Sequence, residues 1–225
     1  MRRFIVMAVL VLAPSVASAQ QSVSFSIGGF VPSSEGARSK DDVLRKNLDF
    51  LAFDIKDFNG ATFGGEWLVG LGNNFEAGLG AGFYQRSVPS VYANFVNSTG
   101  AEIEQTIKLR IVPFTATVRV LPLGRHSGVE PYLGAGVGVL SWRYSESGEW
   151  LDSKNAIFRE TYTGSGSATA PVILGGVRLP IGSGAVGGEI RYQSGEATLP
   201  TNQGFSAPKI NLGGMTYSLT VQFKF

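Results

Sequence analysis

The sequence predicts an all-β fold: an eight-stranded antiparallel up-and-down transmembrane β-barrel that follows a cleaved signal peptide. Three observations carry this expectation. After the first 20 residues no apolar run approaches the roughly 20 residues that a spanning helix needs. Segments of about ten residues instead alternate apolar and polar side chains, the period of a strand with two unlike faces. Glycine is abundant, 30 of 225 residues, nearly twice the usual fraction of about 7%. In hydrocarbon every backbone polar group must be satisfied internally, and without spanning helices only a closed barrel does this.

The chain opens on MRRFIVMAVLVLAPSVASAQQ. Arg2 and Arg3 precede an apolar run and the small residues Ala17-Ser18-Ala19, the layout of a secretory signal peptide cleaved after Ala19. The expected division is therefore a signal peptide over 1–19 and a barrel over 20–225.

The first strand is read in QSVSFSIGGFVP, with Val23, Phe25, Ile27 and Val31 on one parity and serines on the other. The second, ATFGGEWLVGLG, aligns Phe63, Trp67, Val69 and Leu71, and the GNN after it is a hairpin signal. The third aligns Phe75, Ala77, Leu79, Ala81 and Phe83. In the fourth, EQTIKLRIVPFTATVRVLP, the apolar parity changes. Ile107, Leu109 and Ile111 share one phase and Phe114, Ala116, Val118 and Val120 the other, so a bulge or irregular pairing is expected near Val112-Pro113. The fifth is VEPYLGAGVGVLSWRYS and the sixth ATAPVILGGVRLP. The seventh sets Val186, Ile190 and Tyr192 against Glu189, Arg191 and Gln193. The eighth, MTYSLTVQFKF, alternates without a break. Short connections (72–74, 121–128, 181–184) alternate with long polar ones (32–61, 87–104, 144–167, 195–209), so the long loops are expected outside the cell and the short turns in the periplasm.

Composition removes several functions. Without residues 1–19 the chain carries 17 basic and 17 acidic residues, which takes away the electrostatic footprint of a nucleic-acid partner. The absence of cysteine excludes a disulfide framework, a thiol nucleophile, a Cys-held metal and a lipid-bearing Cys. The single histidine, His126, lies in the predicted turn LPLGRHSGVE and reads as an exposed turn residue. Asp41 and Asp42 in KDDVLRK read as a solvated helical turn that starts a short amphipathic helix with Val43, Leu44 and Leu48. No metal-ligand spacing and no cofactor motif is found, and an enzyme is not expected.

The closing strand must pair with the first to abolish sheet edges. Met215, Tyr217, Leu219, Val221, Phe223 and Phe225 are expected toward lipid, and Thr216, Ser218, Thr220, Gln222 and Lys224 toward the lumen. The pattern Tyr217-Leu219-Val221-Phe223-Phe225 resembles the C-terminal assembly signal of Gram-negative outer-membrane proteins, which implies insertion by the barrel-assembly machinery. LRIVPFTATVRVLP followed by VEPYLGAGVGVLSW, and GGEIRYQ later, resemble strands of small OmpA/OmpW-type barrel domains. The resemblance covers essentially all of 21–225 as a pattern. It implies a cell outer-membrane location in contact with membrane lipid and lipopolysaccharide, a monomer, and for OmpW-like proteins a conduit for small hydrophobic solutes.

Charges on the inward parity are Glu66, Glu76, Glu130 and Glu189 against Arg119, Arg178, Arg191 and Lys224. A lumen of eight strands is only wide enough to be filled by side chains. The expectation is an interlocked network that plugs it, with Thr117, Tyr132 and Gln193 as further partners. The expected role is a structural or interaction barrel with long surface loops and an unidentified outside ligand. A narrow conduit is the second reading and an outer-leaflet enzyme the third. Phe30, Leu140 and Trp142 share the lumenal parity; they either line an apolar pocket or are turned back to lipid by a bulge, and the bulge is the simpler expectation. Tyr92 and Phe95 are read as loop aromatics.

Overall fold

The computed structural model describes residues 20–125 and 127–225; the expected signal peptide over 1–19 and His126 lie outside the described residues. Strand β1 is Gln21–Pro32. A long connection carries a helix α1 (Val43–Asn47) and a two-residue strand β2 (Leu51–Ala52). Then come β3 (Gly60–Leu71), β4 (Phe75–Val96), β5 (Glu102–Val120), β6 (Glu130–Leu151), β7 (Ile157–Ile181) and β8 (Gly184–Gln193). A small hairpin of β9 (Glu196–Thr198) and β10 (Lys209–Asn211) precedes β11 (Gly214–Lys224).

Eight of these strands, β1, β3 to β8 and β11, form a closed antiparallel ring in sequence order. β11 closes it on β1 from Ser22↔Lys224 to Pro32↔Gly214, and the Phe225 N–H donates to the Gln21 carbonyl at 3.0 Å. No sheet edge is left in the ring, as lipid requires.

Strand length divides the wall in two. β1, β3, β8 and β11 have 10 to 12 residues, about what crosses a bilayer. β4 to β7 have 19 to 25 and rise about ten residues further, roughly 30 Å at strand spacing. The predicted loops 87–104 and 144–167 are therefore mostly strand, joined by turns at 97–101 and 152–156. A hydrogen-bonded hairpin keeps its backbone satisfied above the membrane as well as within it, so nothing ends the strand at the lipid surface.

Parity explains how the tall strands cross that surface. On β5 the odd positions point inward throughout: Ile107, Leu109 and Ile111, then Thr115, Thr117 and Arg119, are all buried. The even positions point outward, from polar Thr106, Lys108 and Arg110 to apolar Phe114, Ala116 and Val118. Of the two expectations at Val112-Pro113, the irregular pairing is found and the bulge is not. The ladder to β6 is unbroken, and that to β4 keeps its register on both sides of the gap, omitting only Gly82 and Phe83 opposite Pro113 and Val112. Pro113 has no N–H to donate, which accounts for the gap without any shift of register. The apolar face changes sides because the surroundings do: lipid outside the lower wall, a packed core inside the upper wall. β6 repeats this. Leu140 and Trp142 stay inward at 0% and 3% exposure, so the expected turn back to lipid does not occur.

The core they join is built from two connections. Residues 33–59 contribute Val43, Leu44, Leu51, Ile55 and Phe58; residues 194–213 contribute Ala197, Leu199, Ala207, Ile210 and Leu212. These pack on Phe30, Tyr84, Ile107, Leu109, Ile111, Leu140, Trp142 and Tyr144 of the wall. The upper lumen is thus neither an open apolar pocket nor turned to lipid: it is filled by a cap. Tyr92 and Phe95, expected in a loop, lie on β4, where Tyr92 packs tilted against Phe50 and edge to face with Phe95 and accepts the Leu151 N–H at 3.2 Å.

Candidate functional site

The lower lumen holds the eight charged residues expected there, arranged in two levels. In the middle of the barrel Glu66 and Glu189 face Arg119 and Arg191. Arg119 pairs with Glu66, and with Glu189 at 3.0 Å. Arg191 reaches Glu66 at 3.1 Å and Glu189 at 2.9 Å. Thr117 donates to Glu66 at 2.8 Å and the Tyr132 hydroxyl to Glu189 at 3.0 Å. Nearer the short-turn mouth, Arg178 pairs with Glu76 at 2.9 Å and Glu130 at 3.5 Å, and Lys224 reaches Glu130 at 3.2 Å. Gln222 accepts from Arg178 at 2.8 Å and donates to Ser22 at 2.6 Å.

The Tyr132 ring joins the levels. The Arg119 and Arg178 guanidinium carbons lie 4.8 and 4.9 Å from its centroid. Each guanidinium thus has an aromatic face to stack on besides its carboxylates. The ring fits because Gly176 lies beside it. A Cβ there would come within 2.5 Å of the Tyr132 hydroxyl and of the Gly188 carbonyl oxygen. Gln193 stands apart from the network, since its amide donates instead to the Leu212 carbonyl of the cap at 3.0 Å.

Sequence reasoning missed one member. Arg125, in the turn before β6, swings under the barrel, with its Nε 3.6 Å from Glu76 and its Nη2 donating to Gln20 at 3.1 Å. The available signal was Gly70, an inward glycine on β3: an added Cβ would meet the Arg125 guanidinium at 1.3 Å.

Above the charges lies a small polar chamber of about 70 Å³, lined by Ser24, Ser26, Thr62, Thr115, Arg191 and Thr216 among others. It has room for a few ordered waters. Asp42 is the pin of the cap. Its carboxylate accepts from Arg45 N at 3.0 Å as the N-cap of α1, from Arg38 at 3.1 Å, and from Asn211 N at 2.6 Å across to the second connection. Asp42 is fully buried, so the expected solvated turn is corrected for this residue, whereas Asp41 is exposed. Burial follows from charge: Arg38, buried with it, balances the carboxylate.

A second buried acid, on β6 facing the cap, has no ion pair among the described residues. Glu146 accepts from the Tyr144 hydroxyl at 2.5 Å and from Asn47 at 2.6 Å, and Asn47 in turn accepts from Ser206 at 2.5 Å. Its outward neighbours on β6, Arg143, Ser145 and Ser147, are polar, which places this level above the lipid band. Burial raises the Glu146 pKa above the ordinary carboxylate range, and the two donors offset this only in part.

Outside, the lower wall is an apolar band. Phe25, Ile27, Phe63, Leu79, Phe114, Leu133, Ile173 and Leu219 are each more than half exposed. Tyr217, Leu219, Val221, Phe223 and Phe225 of the closing strand point outward with them, and Phe223 meets Phe25 edge to ring at 6.4 Å. No helix among the described residues is long and apolar enough to cross a membrane; the strands do so.

A closed eight-stranded ring with an apolar outer band and a charged lumen defines the fold of a transmembrane β-barrel. The solved structures it resembles belong to that class. The outer membrane protein OprG of Pseudomonas aeruginosa matches with a TM-score of 0.51 at 12% identity, over 92% of this chain and 96% of that one. Neisserial surface protein A matches at 0.48 and 12%, over 92% and 97%. The attachment invasion locus protein Ail of Yersinia pestis, solved in complex with the heparin analogue sucrose octasulfate, matches at 0.43 and 14%, over 92% and 99%. No protein-family model and no curated protein matches the sequence.

Proposed function

We propose that this chain is a non-enzymatic scaffold of the outer membrane, a monomeric barrel whose lumen is occluded and whose tall β4–β7 wall and cap form a rigid surface platform outside the cell. The observation that carries the reading is occlusion at two heights: a fully paired charge network in the lower lumen and an apolar two-loop core in the upper. The outer-membrane location rests on the fold, and the orientation on the long connections sharing one end of the barrel. Insertion by the barrel-assembly machinery rests on the outward row from Tyr217 to Phe225. Unidentified outside ligands would meet the cap and the tips of the tall strands.

Planar-bilayer recording tests this. Purified protein should give no sustained conductance steps. Regular ohmic steps in the wild type, unchanged in Arg191→Ala, would overturn the scaffold reading in favour of a conduit.

A further inference from the structure

We propose that the outer wall carries a binding site for a phosphorylated acyl lipid, formed by Lys108, Arg110 and Arg143 above an apolar groove. The site deepens the reading above, since it requires the barrel to stand in a bilayer with its tall wall outside.

All three bases point outward, at the height where the wall passes from apolar to polar. On β5 the outward side chains run Phe114, Val112, Arg110, Lys108, and on β6 Val139, Ser141, Arg143. Arg110 and Arg143 are direct partners in the β5–β6 ladder. Directly opposed side chains have Cβ atoms about 5 Å apart, and like charges there repel. Lys108, two residues along on the same face, completes a triangle of roughly 5–8 Å sides. Among the described residues none of the three has an ion pair or a hydrogen bond from its side chain, although every charged residue of the lumen network is paired. The flanking outward residues are neutral: Gln85 opposite Arg110 on β4, and Ser165 opposite Arg143 on β7. Three unneutralised cations held together by a ladder fit one multivalent anion, and phosphate oxygens take the planar arginine fork in bidentate fashion.

A second observation supplies the rest of the ligand. Below the triangle, on the same strands, lies an open groove of about 930 Å³ with almost wholly apolar walls. It exists because the outward positions Gly65, Ala81 and Ala116 are small, between the bulkier Leu79, Phe114 and Val137. Phe114 is four residues from Arg110 and Val139 four from Arg143, about 13 Å down the wall. Headgroup charge above and an acyl slot below describe an anionic lipid standing upright against the barrel. A free phosphate would use only the upper half.

Native mass spectrometry of the detergent-purified full chain tests this, with bisphosphorylated lipid A, dephosphorylated lipid A and inorganic phosphate as probes. Each lysine or arginine near an anionic surface contributes about 1 kcal/mol, so the triple variant K108S/R110S/R143S should bind bisphosphorylated lipid A on the order of 100-fold more weakly. Dephosphorylated lipid A should bind the wild type as weakly as that variant binds the phosphorylated form. Ala116→Phe, which fills the groove, should weaken lipid A binding while leaving inorganic phosphate unchanged. If the triple variant fails to fold by mobility on cold SDS gels, Arg143→Gln alone should show roughly a fivefold loss. Equal binding of the two forms of lipid A, or equal binding by wild type and charge variants, would overturn the site. Either result in a folded, non-conducting barrel would leave the scaffold reading standing.

Discussion

Glu189→Ala is the sharpest test of the charge network. The Glu189 carboxylate holds Arg119 at 3.0 Å, Arg191 at 2.9 Å and the Tyr132 hydroxyl at 3.0 Å. Its removal leaves Arg119 and Arg191 to share Glu66 alone, and one positive charge is uncompensated in a lumen where the Arg119 side chain is only 3% exposed. Breaking a buried pair by deleting one partner costs about 3–5 kcal/mol. Arg191 is 20% exposed toward the chamber, so its share is partly screened and the lower half of that range is expected. The double variant Glu189→Ala/Arg191→Ala removes one acid and one base. Charge balance returns, Arg119 keeps Glu66, and the double variant should recover more than 1 kcal/mol relative to the single one, a coupling of the size neighbouring groups show. The assay is urea unfolding in lipid vesicles, read by tryptophan fluorescence and cold SDS mobility. A loss below about 1 kcal/mol for Glu189→Ala, or a double variant weaker than the sum of its singles, would refute the claim that charge balance holds the lumen together.

Other perturbations probe the remaining layers. Gly176→Val should destabilise the barrel by about 1–3 kcal/mol through overpacking, because the new side chain meets both Tyr132 and the Gly188 carbonyl; an unchanged unfolding midpoint would contradict the fit of that ring. Glu146 has a folded pKa above its ordinary 4.5, so its contribution to cap stability is complete below that value and is lost as pH rises through the folded pKa. Hydrogen exchange in 33–59 and 194–213 should therefore quicken as pH rises through that window, after correction for intrinsic exchange, and Glu146→Gln should abolish the dependence; a Gln variant with the same dependence would assign it to another group. Phe225→Ala should slow insertion and lower the heat-resistant fraction on cold SDS gels, and insertion at the wild-type rate would exclude an assembly role. Because the chain has no cysteine, Asn155→Cys and Ser183→Cys report orientation cleanly: a membrane-impermeant maleimide on intact cells should label the first and not the second, and the opposite pattern would invert the barrel.

Much of this molecule was legible in its sequence, for a specific reason. Where lipid lies outside and the lumen is polar, strict alternation follows directly from the two solvents; β8 and β11 carry it without interruption, and β3 departs from it at the buried inward Leu68. Inward charges could be collected for the same reason, since a charge on that face has nowhere else to go. Arg125 escaped because it comes from a turn, which has no parity, and only the inward Gly70 marks the space it occupies. The cap escaped because its two halves, 33–59 and 194–213, are far apart in sequence and irregular in backbone. Asp42 looked solvated because its partners Arg38 and Asn211 are brought together only by that packing.

That the pairing at Pro113 is irregular without a bulge carries information. A strand keeps its side-chain parity as long as its register holds, so an apolar set that changes parity has two possible causes: an inserted residue, or a change of surroundings at constant register. Here β5 and β6 keep their register while Ile111 and Phe114, or Val139 and Leu140, divide an inward apolar set from an outward one. The crossing points are close on neighbouring strands, since Pro113 pairs with Leu140 and Phe114 with Val139. Separate insertions would have no reason to align in this way, whereas a membrane surface forces them to. Aligned parity inversions therefore mark the lipid boundary on this wall. The unpaired triangle of Lys108, Arg110 and Arg143 begins three to four residues above that line, which fits the headgroup-binding site proposed above.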